Sequence, residues 1–241
     1  MPLYVLVTGD PTPLVRGMRG DFTQLFSDAL GGAWRDGLVA VDVRTAAPEL
    51  PADANGLIVT GSSSHLAERA PWMLSTQAVL REAVAKRIPT LGVCFGHQLL
   101  GEALGGTCVR NPRGREIGTL PLERLESAAN DPLFGELPGV FEANVTHLDT
   151  VATLPPGATI LARSPLESHH AVRFGEVCWG VQFHPEIDRE VMCGYLESRR
   201  PVLSDEGRDV DAMIEGARET PLARGILRTF VERFVAGRAR G

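Results

Sequence analysis

Short apolar runs alternate along the chain with segments in which apolar residues recur every three or four positions, the two periods that distinguish buried strands from amphipathic helices. Leu3 to Val7 reads as a first buried strand and Thr8-Gly9-Asp10-Pro11-Thr12-Pro13 as the loop after it. Asp21 is placed to cap a helix with Phe22, Leu25, Phe26 and Leu30 on one face, ended by Gly31-Gly32. A second strand is expected from Leu38 to Val43, a proline-rich loop from Ala46 to Ala52, and a third strand over Gly56-Leu57-Ile58-Val59-Thr60 that stops at Gly61. Pro71 opens a helix that reaches about Lys86; an apolar run then stops at Cys94, and Leu99, Leu100, Ala103 and Leu104 restart it at helical spacing. Strands separated by helices predict a parallel sheet covered on both faces, because parallel neighbours need crossover connections. Ligands of such sheets gather at the carboxyl ends of the strands, where Gly61 and Cys94 both fall.

Past Gly105-Gly106 the strand candidates shorten: Thr107 to Arg110, Ile117 to Leu125, Val140 to Val145, Ala158 to Arg163, Ala171 to Phe174 and Val177 to Phe183. Gly, Pro and Asn clusters separate them, as in hairpins or antiparallel additions to the sheet. From Asp188 onward the pattern is mostly helical, in two or three pieces broken near Pro201 and Pro221. The last, Leu222 to about Ala236, carries Ile226, Leu227, Phe230 and Phe234 as a stripe read as core, with a dimer interface as its rival. The expected fold class is therefore α/β, with a mostly parallel central sheet, helices on both faces, antiparallel additions in the second half and a helical C-terminal extension.

Composition changes this picture little. With 241 residues, 44% of them hydrophobic, the chain can bury a large core as one domain or two, and the alternation of elements favours one. A formal net charge of −6 argues against a nucleic-acid surface. The cysteines Cys94, Cys108, Cys178 and Cys193 form neither a CxxC pair nor a zinc pattern, so no metal is expected and a reduced, cytoplasmic protein fits best. Met1-Pro2-Leu3-Tyr4-Val5-Leu6-Val7 lacks the basic region and long apolar segment of a signal peptide, and no later run is long enough to span a bilayer, so no membrane partner is expected.

The candidate chemistry centres on Cys94. Gly92-Val93-Cys94-Phe95-Gly96 has the spacing of a nucleophile elbow, with sulfur in place of a serine hydroxyl. A strand that turns sharply into a helix brings backbones too close for a β-carbon and demands unusual φ/ψ, which the flanking glycines allow. The thiol then stands at a helix N-terminus, where unpaired N–H groups and the helix dipole favour negative charge. Cys108, Cys178 and Cys193 lack such a setting and read as small core residues.

A cysteine nucleophile needs a base to take and return its proton, and the base needs a carboxylate to orient it. Val181-Gln182-Phe183-His184-Pro185-Glu186 supplies both: at the end of an extended segment, positions i and i+2 point the same way, and Pro185 stiffens the link. His184 is the candidate base and Glu186 its orienting acid. The N–H of Phe95, placed by the elbow, and a second donor at Gly61 are the candidate oxyanion hole; losing one such donor costs on the order of 3 kcal/mol in the barrier. Ser62, Ser63 and Ser64 read as ordinary loop residues.

Gly92-Val93-Cys94-Phe95-Gly96-His97-Gln98-Leu99-Leu100 and Gln182-Phe183-His184-Pro185-Glu186 together resemble the class I (triad) glutamine amidotransferases, in the same order of cysteine, histidine and glutamate. Thr60-Gly61-Ser62 is similar to that family's oxyanion strand, and Arg115-Glu116-Ile117-Gly118 to a segment of the amidotransferase domain of GMP synthetases. The resemblance covers roughly residues 1–190, with 191–241 expected as a helical extension packed on the same domain. It implies that Cys94 attacks the side-chain amide of glutamine or a related γ-glutamyl compound, that ammonia or an amine leaves, and that water releases glutamate from a thioester. It further implies that Gln98 contacts the bound glutamine, and that Thr146-His147-Leu148-Asp149 lies where the family holds the substrate's α-amino and carboxylate groups. Two departures stand out: Leu148 replaces a glycine of that segment, and Ser62 follows Gly61 where many members have proline.

No cofactor is implied. About 55 residues follow the triad without a phosphate-binding loop, so the alternatives are ammonia passed to a separate synthase subunit or plain hydrolysis, as in γ-glutamyl peptidases. A homo-oligomer is open on this reading. A non-catalytic module is disfavoured by the intact triad, and another kind of cysteine hydrolase by Gln98 and the segment Gln182 to Glu186.

Overall fold

A computed structural model of the chain describes residues 2–34, 37–45 and 48–236. The first two residues of the expected Ala46 to Ala52 loop and the last five of the expected extension lie outside the described residues. The strands are β1 (Leu3–Val7), β2 (Leu38–Asp42), β3 (Gly56–Val59), β4 (Thr90–Val93), β5 (Thr107–Arg110), β6 (Glu116–Arg124), β7 (Val140–His147), β8 (Asp149–Thr153), β9 (Thr159–Arg163), β10 (Ala171–Gly175) and β11 (Cys178–Val181). The helices are α1 (Pro13–Arg19), α2 (Phe22–Leu30), α3 (Pro71–Ala85), α4 (Phe95–Ala103), α5 (Arg189–Ser198), α6 (Arg200–Asp205), α7 (Val210–Gly216) and α8 (Pro221–Phe230), the last running into a π-helical turn, Val231–Val235.

Nine strands form one sheet in the order β2-β1-β3-β4-β11-β10-β9-β6-β7, and β5 and β8 form a separate antiparallel pair. β2 through β11 in that order are parallel, and every later pairing is antiparallel. β3, β4 and β11 are buried along their whole length, which is why their sequences are continuous apolar runs rather than alternations. β2, at the edge, is half exposed. On one face of the sheet Phe22, Leu25 and Phe26 of α2 share a core with Ile226, Leu227 and Phe230 of α8; on the other Leu80 and Ala83 of α3 pack with Leu99 and Leu100 of α4. Burying each such large side chain stabilises the fold by about 1.5–3 kcal/mol. The stripe on the last helix is thus core.

β11 is the hinge of the topology. It lies parallel to β4 with Val181 opposite Val93, and antiparallel to β10 with Val181 opposite Ala171. The chain therefore leaves β4 and β11 at the same end of the sheet, the carboxyl end of both strands, and Cys94 N–H donates to the Val181 carbonyl at 2.8 Å.

Several elements differ from expectation. α1 forms where a loop was expected to end, with Pro13 at its first position and Gly20 at φ 84° beyond its last turn; the proline that reads as loop punctuation is here a helix start. β8, which the sequence did not predict, is formed by pairing with β5 and not by any apolar alternation of its own. Among the described residues the C-terminal part holds four helices rather than two or three, because Gly207 at φ 75° closes α6 and the Asp209 side chain caps α7 by accepting from Ala212 N–H. β11 ends at Val181, short of Phe183: Gln182 N–H still follows the β10 register to the His170 carbonyl, but His184 N–H leaves it for the carbonyl of Asn144 on β7, both at 2.8 Å.

Candidate active site

Cys94 sits between β4 and α4 with φ 53° and ψ −105°, a backbone conformation that residues with a β-carbon rarely adopt. The strain of the elbow is thus carried by the cysteine itself. The flanking glycines serve the close approach: a β-carbon on Gly92 would lie 2.5 Å from the Gly96 carbonyl oxygen, and one on Gly96 would collide with that of Val59. Phe95 opens α4, so its N–H is among the first-turn donors without an intrahelical acceptor, while its ring is buried against Trp72.

His184 and Glu186 lie in a turn rather than on extended backbone, closed by Ile187 N–H to the His184 carbonyl at 3.3 Å. The turn still pairs their side chains: His184 Nδ1 is 2.7 Å from Glu186 Oε1, both are buried, and His184 Nε2 has no hydrogen-bond partner. Burial opposes a charged ring, but the negative charge of Glu186, joined by that of the Cys94 sulfur, outweighs it and raises His184 to about 10. Gly61 faces both groups, since a β-carbon there would lie 3.2 Å from His184 Cε1 and 3.6 Å from Cys94 Cβ. Thr8 Oγ1 stands 3.0 Å from the Gly61 carbonyl oxygen, and Gly96 N–H donates to that of Thr60 at 3.1 Å, so the end of β3 is fastened beside the elbow.

Two clefts meet at Cys94. The first, about 330 Å³, is lined by Thr8, Phe22, Gly61, His184 and Tyr195. The second, about 280 Å³, is lined by His65, Gln98, Arg115, His147, Leu148 and Asp149. Thr146 and Arg199 face both, and the Thr146 carbonyl oxygen is 3.8 Å from Cys94 Sγ. Of the residues singled out from the sequence, Gly61, Gln98, Thr146, His147, Leu148, Asp149 and His184 line one or both clefts beside the thiol, and Phe95 and Glu186 line neither. Gln98 Nε2 donates to the Asp149 carbonyl at 3.0 Å and to Gln182 Oε1 at 3.1 Å.

Residues the sequence did not single out complete the surroundings. His65 Nδ1 is 2.6 Å from Asp149 Oδ2, and Asp149 Oδ1 is buried without a partner. Tyr195, its hydroxyl pushed up by burial, and Arg199, whose guanidinium lies 5.2 Å from the Tyr195 ring centre, come from beyond residue 190. Behind the second cleft Glu116 Oε2 accepts from His147 Nε2 at 3.0 Å and His170 Nε2 at 2.8 Å, and Ser164 Oγ donates to Oε1 at 2.5 Å. The glutamate and the two histidines lie with their ligand-type atoms within 4.8 Å of one another, and their spacing is that of ring N–H groups on a carboxylate. Glu116 was visible only as part of a familiar-looking segment; nothing in its local sequence points to His147 or His170.

The chain matches the class-I glutamine amidotransferases over residues 37–195 and belongs to that family. It is 32% identical over 177 residues to a glutamine-hydrolyzing GMP synthase subunit of Halobacterium salinarum, covering 72% of this chain and 88% of that one. It is 30% identical over 158 residues to the γ-glutamyl-L-1-hydroxyisopropylamide hydrolase of a Pseudomonas species, covering 63% of this chain and 54% of that one. It spans under a fifth, 18–19%, of the GMP synthases of Thermomicrobium roseum and Thermosipho melanesiensis, which it also matches. The solved structure of a glutamine amidotransferase from Thermotoga maritima superposes with a TM-score of 0.78 at 24% identity, covering 98% of each chain. No helix among the described residues is long and apolar enough to cross a membrane.

Proposed function

We propose that this chain hydrolyses the γ-glutamyl amide bond of glutamine or a related γ-glutamyl compound through a thioester on Cys94, with His184 as base and acid and Glu186 as its orienting partner. The observation that carries this reading is the unpartnered His184 Nε2, held by Glu186 at 2.7 Å on the other ring nitrogen, in the cleft that also exposes Cys94 and Gly61. Cys94 Sγ, its proton passed to His184, bonds to the γ-carbonyl carbon, and the charge on oxygen is received by the N–H groups of Phe95 and Gly61. The C–N bond breaks as His184 returns the proton to nitrogen, and ammonia or an amine departs. Water then gives its proton to His184 and forms the C–O bond as the C–S bond breaks, yielding glutamate and the thiol. No cofactor takes part. Gln98 and the segment Thr146 to Asp149 are assigned to the glutamyl half. Tyr195 and Arg199 assign the helical extension packed on the domain of residues 1–190 to the same site.

A second reading follows from the Halobacterium relative, which belongs to a synthase: the chain would act as the glutaminase of a separate aminating synthase. Glutamate release from glutamine and a panel of γ-glutamyl amides separates the two. Release by the isolated chain that stops in Cys94→Ala supports the hydrolase; release only after addition of a synthase supports the second reading; release undiminished in Cys94→Ala removes both.

A further inference from the structure

The two clefts divide any γ-glutamyl substrate at the scissile bond. His184 lines only the first, so the nitrogen that takes its proton departs on that side. Gln98 and Asp149 line only the second, where the buried, unpartnered Asp149 Oδ1 suits an α-ammonium group. The departing side offers about 330 Å³, far more than ammonia needs, since a molecule of water-like size occupies about 30 Å³ in its liquid.

The charges lining that side are unevenly matched. Arg44 is engaged by Asp10 and Asp42, at 2.7 Å each. Arg199 has no ion-pair partner among the described residues; its Nη1 is buried without a hydrogen bond, and its guanidinium lies against the Tyr195 ring. A guanidinium left in this way is a ready receptor for a carboxylate, which it meets with two parallel N–H donors. Arg199 lines both clefts, but the glutamyl α-carboxylate does not need it: the second cleft has Arg110 of its own, beside Arg115, whose Nε is engaged by Glu206 Oε1 at 2.9 Å.

Resting on the hydrolase reading above, we propose that Arg199 binds a carboxylate carried by the departing amine, which makes γ-glutamyl amino acids and short γ-glutamyl peptides the preferred substrates over glutamine and γ-glutamyl alkylamides. The test uses the full chain with γ-glutamyl-alanine, γ-glutamyl-alaninamide and glutamine; the first two differ only in the charge of the leaving group. The wild type is expected to favour γ-glutamyl-alanine over the alaninamide by about tenfold or more in kcat/KM, the range of a hydrogen bond to a charged group. In Arg199→Met that ratio should collapse toward one, with the change mainly in KM, and Arg199→Lys should restore part of it. Equal wild-type rates on the acid and the amide overturn the proposal without any variant. So does a ratio unchanged in Arg199→Met, which would assign Arg199 to the glutamyl half. A wild type that releases glutamate from none of the three removes the hydrolase reading itself, and this inference with it.

Discussion

His147 Nε2 lies 3.0 Å from Glu116 Oε2, so the end of β7, which lines the cleft beside Cys94, is tied to the start of β6 by a buried carboxylate. The same oxygen accepts from His170, just before β10, and the other oxygen from Ser164, just after β9. One side chain thereby joins four strand ends. Burial alone would raise the Glu116 carboxyl; the hydrogen bonds from His147, His170 and Ser164 outweigh it and hold the group well below the usual carboxylate range.

Replacing Glu116 by alanine strands its buried donors and should destabilise the protein by about 1–3 kcal/mol for each one left unsatisfied. Glu116→Gln, which keeps the shape, should fold and raise KM more than it lowers kcat. Because the folded group is depressed, its contribution is fully present above the unfolded value of about 4.3 and is lost progressively as pH falls from there toward the lower folded value. Urea titrations from pH 7 to 3 on the wild type and on Glu116→Gln read this directly; a Glu116→Gln protein with wild-type KM would show that the tie does not position the cleft.

Cys94 adopts φ 53° and ψ −105°, where a β-carbon is costly and glycine is at ease. Both Cys94→Ala and Cys94→Gly should be inactive. The glycine variant should nonetheless be the more stable of the two by about 1–3 kcal/mol, the reverse of the usual order within regular elements. Thermal or urea unfolding of the two inactive proteins decides it, and an alanine variant equal to glycine would show that the bend stores no strain.

Glu186 sets the charge of His184. With burial opposing, its charge and that of Cys94 raise the ring from 6.5 to about 10, so between those values the folded chain holds a proton that the unfolded chain has lost. The stabilisation is complete below about 6.5 and disappears as pH rises through about 10. Urea midpoints should therefore decline across that window in the wild type and decline less in Glu186→Gln. Parallel declines in the two proteins would contradict the assignment.

His97 has the opposite sign. It is fully buried one residue before Gln98, close to the Phe174 ring, and neither of its ring nitrogens makes a well-formed hydrogen bond. Burial, reinforced by the charges of His169, His170 and His147, lowers it to about 3. The unfolded chain binds a proton from about 6.5 downward while the folded chain refuses it until about 3, so stability is lost as pH falls through that interval. His97→Met should flatten this loss, giving a smaller drop in unfolding midpoint between pH 6.5 and 4 than the wild type shows. An unchanged pH dependence would locate the acid sensitivity elsewhere, for instance at His170, which burial lowers as well.

Much of the parallel half of the fold was legible in local pattern, because β1, β3 and β4 are continuous apolar runs between turn residues and α2 has both its Asp21 cap and its Gly31 stop. The elbow was legible for the same reason: its glycines answer to contacts close to the bend. β8 and the tie through Glu116 were not, since each exists only through partners far along the chain, at β5 and at His147 and His170. His65, Tyr195 and Arg199 carry no local signature either.

By itself the sequence picked out the candidate residues: a cysteine between close-packed glycines, a histidine and a glutamate two positions apart, and a glycine at the end of a third strand. It also bound His184 to Glu186, because a contact two residues apart needs only a turn. That the turn opens beside Cys94 was decided by the sheet, where β11 comes to lie parallel to β4 in a register that sets Val181 against Val93. Register between strands so distant in sequence is a property of the packed whole, since backbone hydrogen bonds join any two extended segments alike and only the burial of both faces selects the partner. The tertiary structure likewise decided that Arg199, from beyond the last strand, stands between the two clefts.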